Sequence, residues 1–195
     1  ELELENFYSR GIFVSKKSET RGAKKKYALI DENGKIKITG FETIRKDWSI
    51  IARETQMKVI ELILKEGSYE NALKYTQDTI KKIKNKEIEL SQMIIKEQLK
   101  MPLESYRQIG PHVAVAQRMR KLGMDTSQGA NIYFIISNEP GMIRDKAKIP
   151  SETKDYNVNY YIENQILPSV EKIFEVFGIS RDKILLKEQS KLGDF

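Results

Sequence analysis

The chain has 195 residues, 39% of them hydrophobic and 32% charged, which suffices for one compact domain or two small ones with a buried core. It has no cysteine, which excludes disulfides and thiolate metal sites, and no apolar run of about 18 residues of the kind that spans a bilayer. A net charge of +6 and the lack of a secretory signal at the start predict a soluble, cytoplasmic protein with no membrane partner.

The first part of the chain alternates polar and apolar residues in short runs that are typical of strands: LELENFY, GIFVSKK, KYALID and KIKITG. The Asn33-Gly34 pair between the last two runs predicts that they form an antiparallel hairpin. Residues 15–23 are expected to form a mobile connection. The chain begins at Glu1, inside a strand-like run, so we expect an N-terminal partner segment elsewhere.

After Gly40 the hydrophobic pattern becomes helical. A helix is expected over 48–65, ending near Gly67, with its main apolar face on Trp48, Ile51, Ala52, Thr55, Val59, Leu62 and Ile63 and a second apolar side opposite. Further helices are expected over 68–84, 91–100, 110–122 and 156–177, the last interrupted by Pro168. One isolated strand is expected at 131–137. The pattern predicts an α+β fold: a short antiparallel β piece, then a mainly helical domain with a small strand element, with the boundary near 40–46.

Basic residues concentrate in one segment. Residues 10–40 contain nine Lys and Arg against three Asp and Glu, an excess of six that equals the net charge of the whole chain. Such a patch on a small β element is expected of a protein that binds a polyanion. A lysine-rich surface without a partner would give the same count, so both interpretations remain open at this point.

The sequence offers no recognisable catalytic chemistry. It has one His, no HExxH zinc motif, no P-loop, no GxGxxG and no Gly-x-Ser-x-Gly elbow. We therefore predict no catalytic residue, no metal site and no cofactor bound by this chain.

Two short segments carry groups suited to phosphate contacts. Gly110, Pro111 and His112 open a predicted helix whose first amides would point outward, and Arg118 follows on that helix. Arg45 lies two residues before a carboxylate that would orient its guanidinium. The alternatives are a helix-start His that packs locally and a surface ion pair of little energetic value. The neighbouring tyrosines at 160 and 161 would either stack on bases or pack inside.

Four segments come in an order and spacing that resemble the C-terminal part of archaeal-type family B DNA polymerases: KKKYA, IRKDWSIIARETQ, GPHVAVAQRMR and DYNVNYYIENQILPSVEKIF. They are collinear from Lys24 to Phe174 and cover almost the whole chain. The resemblance implies that residues 1–43 form the last strands of the palm, 44–188 the thumb and 189–195 a C-terminal tail.

The resemblance also implies roles in DNA binding. Lys25, Lys26 and Tyr27 match the family's Lys-Lys-Tyr palm motif, which approaches the minor groove of the primer–template duplex behind the active site. Arg45 matches the Arg-x-Asp-Trp segment where the thumb begins. The Gly-Pro-His segment at 110–112 matches the part of the thumb that runs along the primer backbone. Such contacts would be mostly to phosphates and thus independent of sequence.

The family's catalytic motifs do not occur in this chain. There is no Asp-Thr-Asp-Ser turn, no Ser-Leu-Tyr-Pro motif, no finger helix with Asn-Ser-x-Tyr-Gly and no set of exonuclease carboxylates. The aspartates that hold Mg²⁺ for phosphoryl transfer would therefore lie in a separate catalytic part of the polymerase. The present chain would be either a cut piece or the small chain of a split polymerase. Its segment 17–23 is longer than expected for this turn.

The last seven residues are QSKLGDF. Their Gln-x-x-Leu-x-x-Phe pattern resembles the sliding-clamp (PCNA-like) binding box at the C-terminus of these polymerases. Leu192 and Phe195 on one short turn would fill an apolar pocket of the clamp, and the Gln189 amide would anchor the turn. The usual second aromatic residue is absent. A frayed polar tail is the alternative.

The leading interpretation is the thumb and partial palm of a DNA-directed DNA polymerase, a nucleotidyltransferase, gripping double-stranded primer–template DNA at the nucleoid. The first alternative is a stand-alone basic nucleic-acid-binding module. The second is a structural interaction domain whose basic patch has no partner.

Overall fold

The structure, a computed structural model, describes residues 6–14, 26–45 and 47–186. In these ranges the chain has the predicted α+β fold, with strands in small antiparallel sheets. The strands are β1 (Tyr8–Val14), β2 (Lys26–Asp31), β3 (Ile36–Thr39), β4 (Ile95–Gln98), β5 (Asn131–Ile136) and β6 (Ala147–Lys148). The α-helices are α1 (Ile50–Glu66), α2 (Glu70–Lys84), α3 (Pro111–Lys121), α4 (Ile143–Lys146), α5 (Val158–Tyr161), α6 (Leu167–Glu175) and α7 (Arg181–Ile184).

These elements divide into two compact units. The first contains β1 to β3, most of α1 and α2, α6 and α7, and the second contains β4 to β6 with α3, α4 and α5. The chain passes into the second unit after Ile44 and returns to the first at Arg53 and again at Ile166. The division into palm, thumb and tail stays a prediction. None of the helices in the described part of the chain is both long and apolar enough to cross a membrane.

The sheet of the first unit has the strand order β1-β2-β3, with antiparallel neighbours. Successive side chains of a strand face opposite sides, so Ala28 and Ile30 are buried while Tyr27 and Leu29 lie half-exposed on the other face. Strand β1 contains Tyr8, the last residue of the first predicted run, and Gly11 to Val14 of the second, with an irregularity in the pairing between Tyr8 and Arg10. Residues 1–5 of the first run lie outside the described residues.

The predicted hairpin between β2 and β3 is confirmed. The Asp31 carboxylate accepts the backbone N–H groups of Asn33 and Lys35 at 2.9 and 2.8 Å. Gly34 has a φ of +78°, a left-handed conformation that glycine adopts without steric cost. The local sequence therefore fixes this turn.

Helix α1 buries five of the seven residues predicted for its main apolar face, and also Ile60 and Leu64 of its second apolar side. The buried side chains are Ile51, Ala52, Thr55, Gln56, Val59, Ile60, Ile63 and Leu64. Two predicted core positions, Trp48 and Leu62, are only half-buried, and the helix begins at Ile50 rather than at Trp48. The hydrophobic pattern did not predict the burial of Gln56, because this residue is buried for its hydrogen bonds rather than for its hydrophobicity.

The expectation of a helix over residues 91–100 is wrong. A 3-10 turn at Leu90–Met93 is followed by strand β4, which pairs antiparallel with β5. The predicted strand at 131–137 is confirmed, but it is the centre of a three-stranded sheet rather than an isolated strand. Pairing partners more than 30 residues away along the chain decided the conformation of β4, and local helical propensity did not include them.

The helical pattern over 156–177 is interrupted as predicted, and the interruption takes the form of a π-helical turn next to Pro168. A π-helical turn, Ile162–Ile166, lies between α5 and α6, and Pro168 stands in the first turn of α6. Proline lacks the N–H that an α-helix would use four residues back, so the backbone cannot continue a regular α-helix through this point.

Candidate nucleic-acid interface

The predicted palm residues lie at the start of β2. Lys25 and Lys24 lie outside the described residues. Tyr27 lies on the outer face of the sheet, with its ring centroid 6.2 Å from that of Phe13 on the neighbouring strand. Phe13 is largely exposed, so this face presents two adjacent aromatic rings to its surroundings.

Lys26 lies on the opposite, core-facing side of the same strand. Its ammonium donates a hydrogen bond to the Glu42 carboxylate at 2.6 Å and lies 5.4 Å from the centroid of the Phe41 ring. Its side chain is only 20% exposed. Lys26 is thus a held cation rather than a freely moving one.

The predicted partner of Arg45 is confirmed in the second unit. Its guanidinium contacts both carboxylate oxygens of Asp47, with the Nε–Oδ1 distance at 3.0 Å and a second contact from Nη2 to Oδ2. This two-point contact fixes the plane of the guanidinium. Both side chains are exposed, so the pair orients the arginine without contributing much stability.

Helix α3 begins as predicted, with Gly110 as its N-cap and Pro111 in its first turn. Gly110 has no side chain to cap the helix, while the Ala114 N–H already donates to the Gly110 carbonyl at 3.0 Å. The amides of His112 and Val113 therefore receive no side-chain cap from Gly110. An anion at this end would also be favoured by the helix dipole.

His112 is held from two sides. Its Nδ1 lies 3.0 Å from the Glu97 carboxylate on β4, and the edge of the Tyr106 ring packs against it at a centroid distance of 5.7 Å. The imidazole is mostly buried. The alternative of a locally packed helix-start histidine accounts for these contacts.

Glu97 lines one open cleft and His112 lines another. One, of about 370 Å³, is lined by Asp47, Lys96, Glu97, Gln98, Lys100 and Asn131. The other, of about 650 Å³, is lined by residues 101 and 105–110 with His112, and it includes the exposed Arg107. These clefts thus present the cations Lys96, Lys100 and Arg107 together with the carboxylates of Asp47 and Glu97. Lys96, Lys100 and Arg107 are not among the predicted site residues, because the sequence pattern of 91–100 indicates a helix and gives no position for the loop after it.

Arg118 has an internal role in the structure. Its guanidinium donates to the Ala147 carbonyl and lies 3.9 Å from the Glu152 carboxylate, so it ties α3 to β6 and to the following turn. Arg120 pairs with Glu104, and this hydrogen bond lowers the pKa of the Glu104 carboxyl. Arg118 and Arg120, two of the cations in the last turn of α3, therefore have protein partners. The predicted DNA contact of Arg118 stays a prediction.

The tyrosines considered for base stacking face inward. Tyr161 is completely buried and Tyr160 half-buried, with their rings edge to face at 5.4 Å. Burial raises the pKa of both hydroxyls. Packing is therefore the correct interpretation for this pair.

The remaining sequence predictions concern sites that the structure does not test. Gln189, Leu192 and Phe195 of the predicted clamp-binding tail lie outside the described residues. Among the side chains that the structure describes, no three His, Cys, Asp or Glu residues are grouped so that they could hold a metal ion.

Residues 1–177 match the family model of DNA polymerase family B. The chain belongs to this family. The family B chain is 42% identical to the DNA polymerase of Pyrococcus horikoshii and 41% identical to that of Desulfurococcus sp. strain Tok, and each alignment covers 99% of the chain. It is also similar to the solved family B DNA polymerase of the archaeon Pyrobaculum calidifontis, with a TM-score of 0.75 and 31% identity over 91% of the chain. The predicted resemblance to archaeal-type family B polymerases is confirmed.

The family B chain spans only part of these relatives: 15% of the Pyrococcus horikoshii protein, 24% of the Desulfurococcus protein and 23% of the Pyrobaculum calidifontis chain. Most of the length of each relative therefore has no counterpart in the 195 residues of this sequence.

Proposed function

We propose that this chain is the thumb and C-terminal palm portion of a DNA-directed DNA polymerase, and that it grips the primer–template duplex during synthesis. The observation that carries the proposal is the family match over residues 1–177. The chemistry of nucleotidyl transfer, with aspartates that bind Mg²⁺, belongs in this proposal to the part of the polymerase outside these residues.

The geometry around α3 supports a grip on phosphates. The second unit contains the first turn of α3, which has no side-chain cap, and His112 beside it. It also contains the cations that line the two clefts: Lys96, Lys100 and Arg107. Cationic side chains and helix-start amides are the groups that bind DNA phosphates in proteins, and they do so without reading sequence. Gly110 adds no side chain that would obstruct this end of the helix.

The first unit supplies the proposed minor-groove contact. Lys25, Lys26 and Tyr27 would approach the duplex from β2, and Arg45 would contact it where the chain enters the second unit. Tyr27 and Phe13 offer an exposed aromatic surface, and Lys26 offers an ammonium that the protein already holds in place. Phe13, which packs against Tyr27, and Glu42, which accepts a hydrogen bond from Lys26, therefore limit how far these two side chains move.

The proposed partners follow from this role. They are double-stranded primer–template DNA, the catalytic portion of the polymerase, and a sliding clamp that binds Gln189, Leu192 and Phe195. The proposed location is the cytoplasm, where the DNA lies in the nucleoid.

Binding of the full chain to a primer–template duplex over a series of salt concentrations tests the grip. The affinity should fall as salt rises, because each neutralised phosphate releases counterions. Replacing both Lys96 and Lys100 with Ala should reduce the slope of log affinity against log salt by about 1.8, since each lost phosphate contact contributes about 0.9. The matched control replaces the exposed lysines Lys74 and Lys81 of α2, and it should leave the slope unchanged.

An affinity that does not change with salt, or an equal effect of the two double variants, would contradict the proposed interface. A second assay then separates a polymerase portion from a stand-alone nucleic-acid-binding module. Adding the chain to the catalytic portion should stimulate nucleotide incorporation on the same primer–template, and a lack of stimulation would favour the stand-alone module.

A further inference from the structure

Lys26 is anchored by a chain of buried polar contacts that the proposed DNA contact does not explain. Its ammonium lies 2.6 Å from Glu42 Oε1. Glu42 itself is only 8% exposed, although carboxylates usually remain in water. The ring of Phe41, fully buried, lies beneath the ammonium. Burying a carboxylate costs hydration free energy, so contacts within the protein must compensate for that loss.

Glu42 is fixed in turn by Gln56 of α1. The Gln56 amide nitrogen donates to Glu42 Oε2 at 2.7 Å and also to the Ser169 carbonyl of α6. Its amide oxygen accepts the Thr43 N–H at 2.7 Å. Gln56 is fully buried with both amide atoms engaged, so neither it nor the Glu42 carboxylate can rotate without leaving a buried polar group unpaired.

This arrangement limits the freedom of the lysine. A lysine side chain has four rotatable bonds and loses considerable entropy when it is held at one place. Here Glu42 and Phe41 hold the ammonium before any ligand arrives. One of its three N–H groups donates to Glu42, and two remain for other acceptors.

We propose that Glu42 is a positioning residue for the contact of Lys26 with duplex DNA, and that Gln56 fixes Glu42 for this purpose. The inference rests on the proposed function. Glu42 does not touch the DNA in this account. It holds the Lys26 ammonium at one point, so that binding the duplex costs less conformational entropy.

Electrostatic repulsion between Glu42 and the DNA phosphates would change the duplex affinity in the opposite direction. A carboxylate beside a DNA-contacting lysine repels phosphates, so removing its charge would strengthen binding if long-range electrostatics dominated. The variant Glu42→Gln raises the net charge by one while it keeps the shape of the side chain. The direction of its effect on affinity therefore distinguishes positioning from repulsion.

The experiment measures duplex affinity for the full chain, Glu42→Gln, Lys26→Ala and the double variant at one salt concentration. We expect Glu42→Gln to weaken binding about threefold to tenfold despite its added positive charge, a size typical of one ordinary hydrogen bond. Lys26→Ala should cause no further loss in the Glu42→Gln background. An increased or unchanged affinity for Glu42→Gln, or additive losses in the double variant, would overturn the inference.

A measurement on the unaltered chain covers the case in which the variants fold poorly. Reductive methylation followed by mass spectrometry reports the reactivity of Lys26 against that of the exposed Lys81. Added duplex should slow methylation of Lys26 and leave Lys81 unaffected, and equal protection or none at Lys26 would overturn the inference. If the unaltered chain does not bind duplex at all, the proposed function fails as well, which separates that outcome from a failure of the positioning alone.

Discussion

At the scale of single residues, the hydroxyl of Tyr161 links two segments of the second unit through hydrogen bonds. The hydroxyl donates to the Met93 carbonyl at 2.7 Å and accepts the Ile136 N–H at 3.1 Å. It thereby joins the turn before β4 to the end of β5. Tyr156 is also buried, and its hydroxyl donates to the Ile83 carbonyl at 3.1 Å and has a backbone contact with Ile88.

Tyr161→Phe should destabilise the chain more than Tyr156→Phe. Tyr161→Phe leaves a buried N–H and a buried carbonyl without their partner and should cost about 2–4 kcal/mol. Tyr156→Phe breaks the hydrogen bond to the Ile83 carbonyl and the contact with Ile88, and should cost about 1–3 kcal/mol. Urea denaturation of both variants measures the difference in free energy of unfolding, and equal costs or a larger cost for Tyr156→Phe would contradict this order.

At the scale of elements, short polar contacts at the ends of strands and helices fix how the first unit is built. The Arg10 guanidinium of β1 donates to the Leu64 and Lys65 carbonyls at 2.9 and 2.7 Å, where α1 has run out of its own N–H partners. Gly67, with a φ of +74°, then turns the chain away from α1. Arg10, one of the basic residues of the segment 10–40, therefore caps the C-terminal end of helix α1.

The β2–β3 hairpin gives a clean test of a backbone requirement. Nothing lies within 4 Å of the position that a Cβ would take at Gly34, so the cost of Gly34→Ala comes from the positive φ alone. We expect a loss of about 1 kcal/mol in the free energy of unfolding, as for a left-handed non-glycine residue. Gly34→Asn is the matched variant and should cost less, because Asn tolerates this conformation. Thermal or urea unfolding checks the order, which would be reversed or absent if the turn changed its conformation.

At the scale of the whole molecule, charge pairs make stability depend on acidity. Hydrogen bonds from lysine or arginine lower the pKa of several carboxyls: Glu61 through Lys65 and Lys58, Glu104 through Arg120, and Asp155 through Lys86. A carboxyl whose pKa is lower in the folded state contributes stability above its unfolded pKa, and this contribution is lost as the pH falls through the folded pKa. Protonation also increases a net charge that is already +6.

The free energy of unfolding should therefore fall below about pH 4, the ordinary range of carboxyl groups. Asp155→Asn removes one of these groups, so its destabilisation should be present at about pH 7 and should shrink at about pH 3. Urea denaturation at the two pH values measures this. The exposed Asp78→Asn of α2 is the control. A destabilisation by Asp155→Asn that stays constant with pH would show that the Lys86 contact does not contribute through charge.

The sequence by itself determined the elements whose signals are local. The Asn33-Gly34 turn needs a positive φ, the segment at 110–112 starts a helix with proline in its first turn, and the apolar run at 131–136 forms a strand. The family was also fixed at this level, because four collinear segments carry it. These features depend on neighbours along the chain, which a sequence displays directly.

Only the tertiary structure decided the features that depend on distant partners. Residues 95–98 became a strand because β5 offered hydrogen bonds, and Gln56 was buried because Glu42, Thr43 and Ser169 complete its amide. Lys26 and Arg118 look like free cations in the sequence, yet Glu42 and the Ala147 carbonyl engage them. The physical reason is common to all four: a polar group leaves water only where a partner compensates its lost hydration, and the sequence does not show where that partner lies.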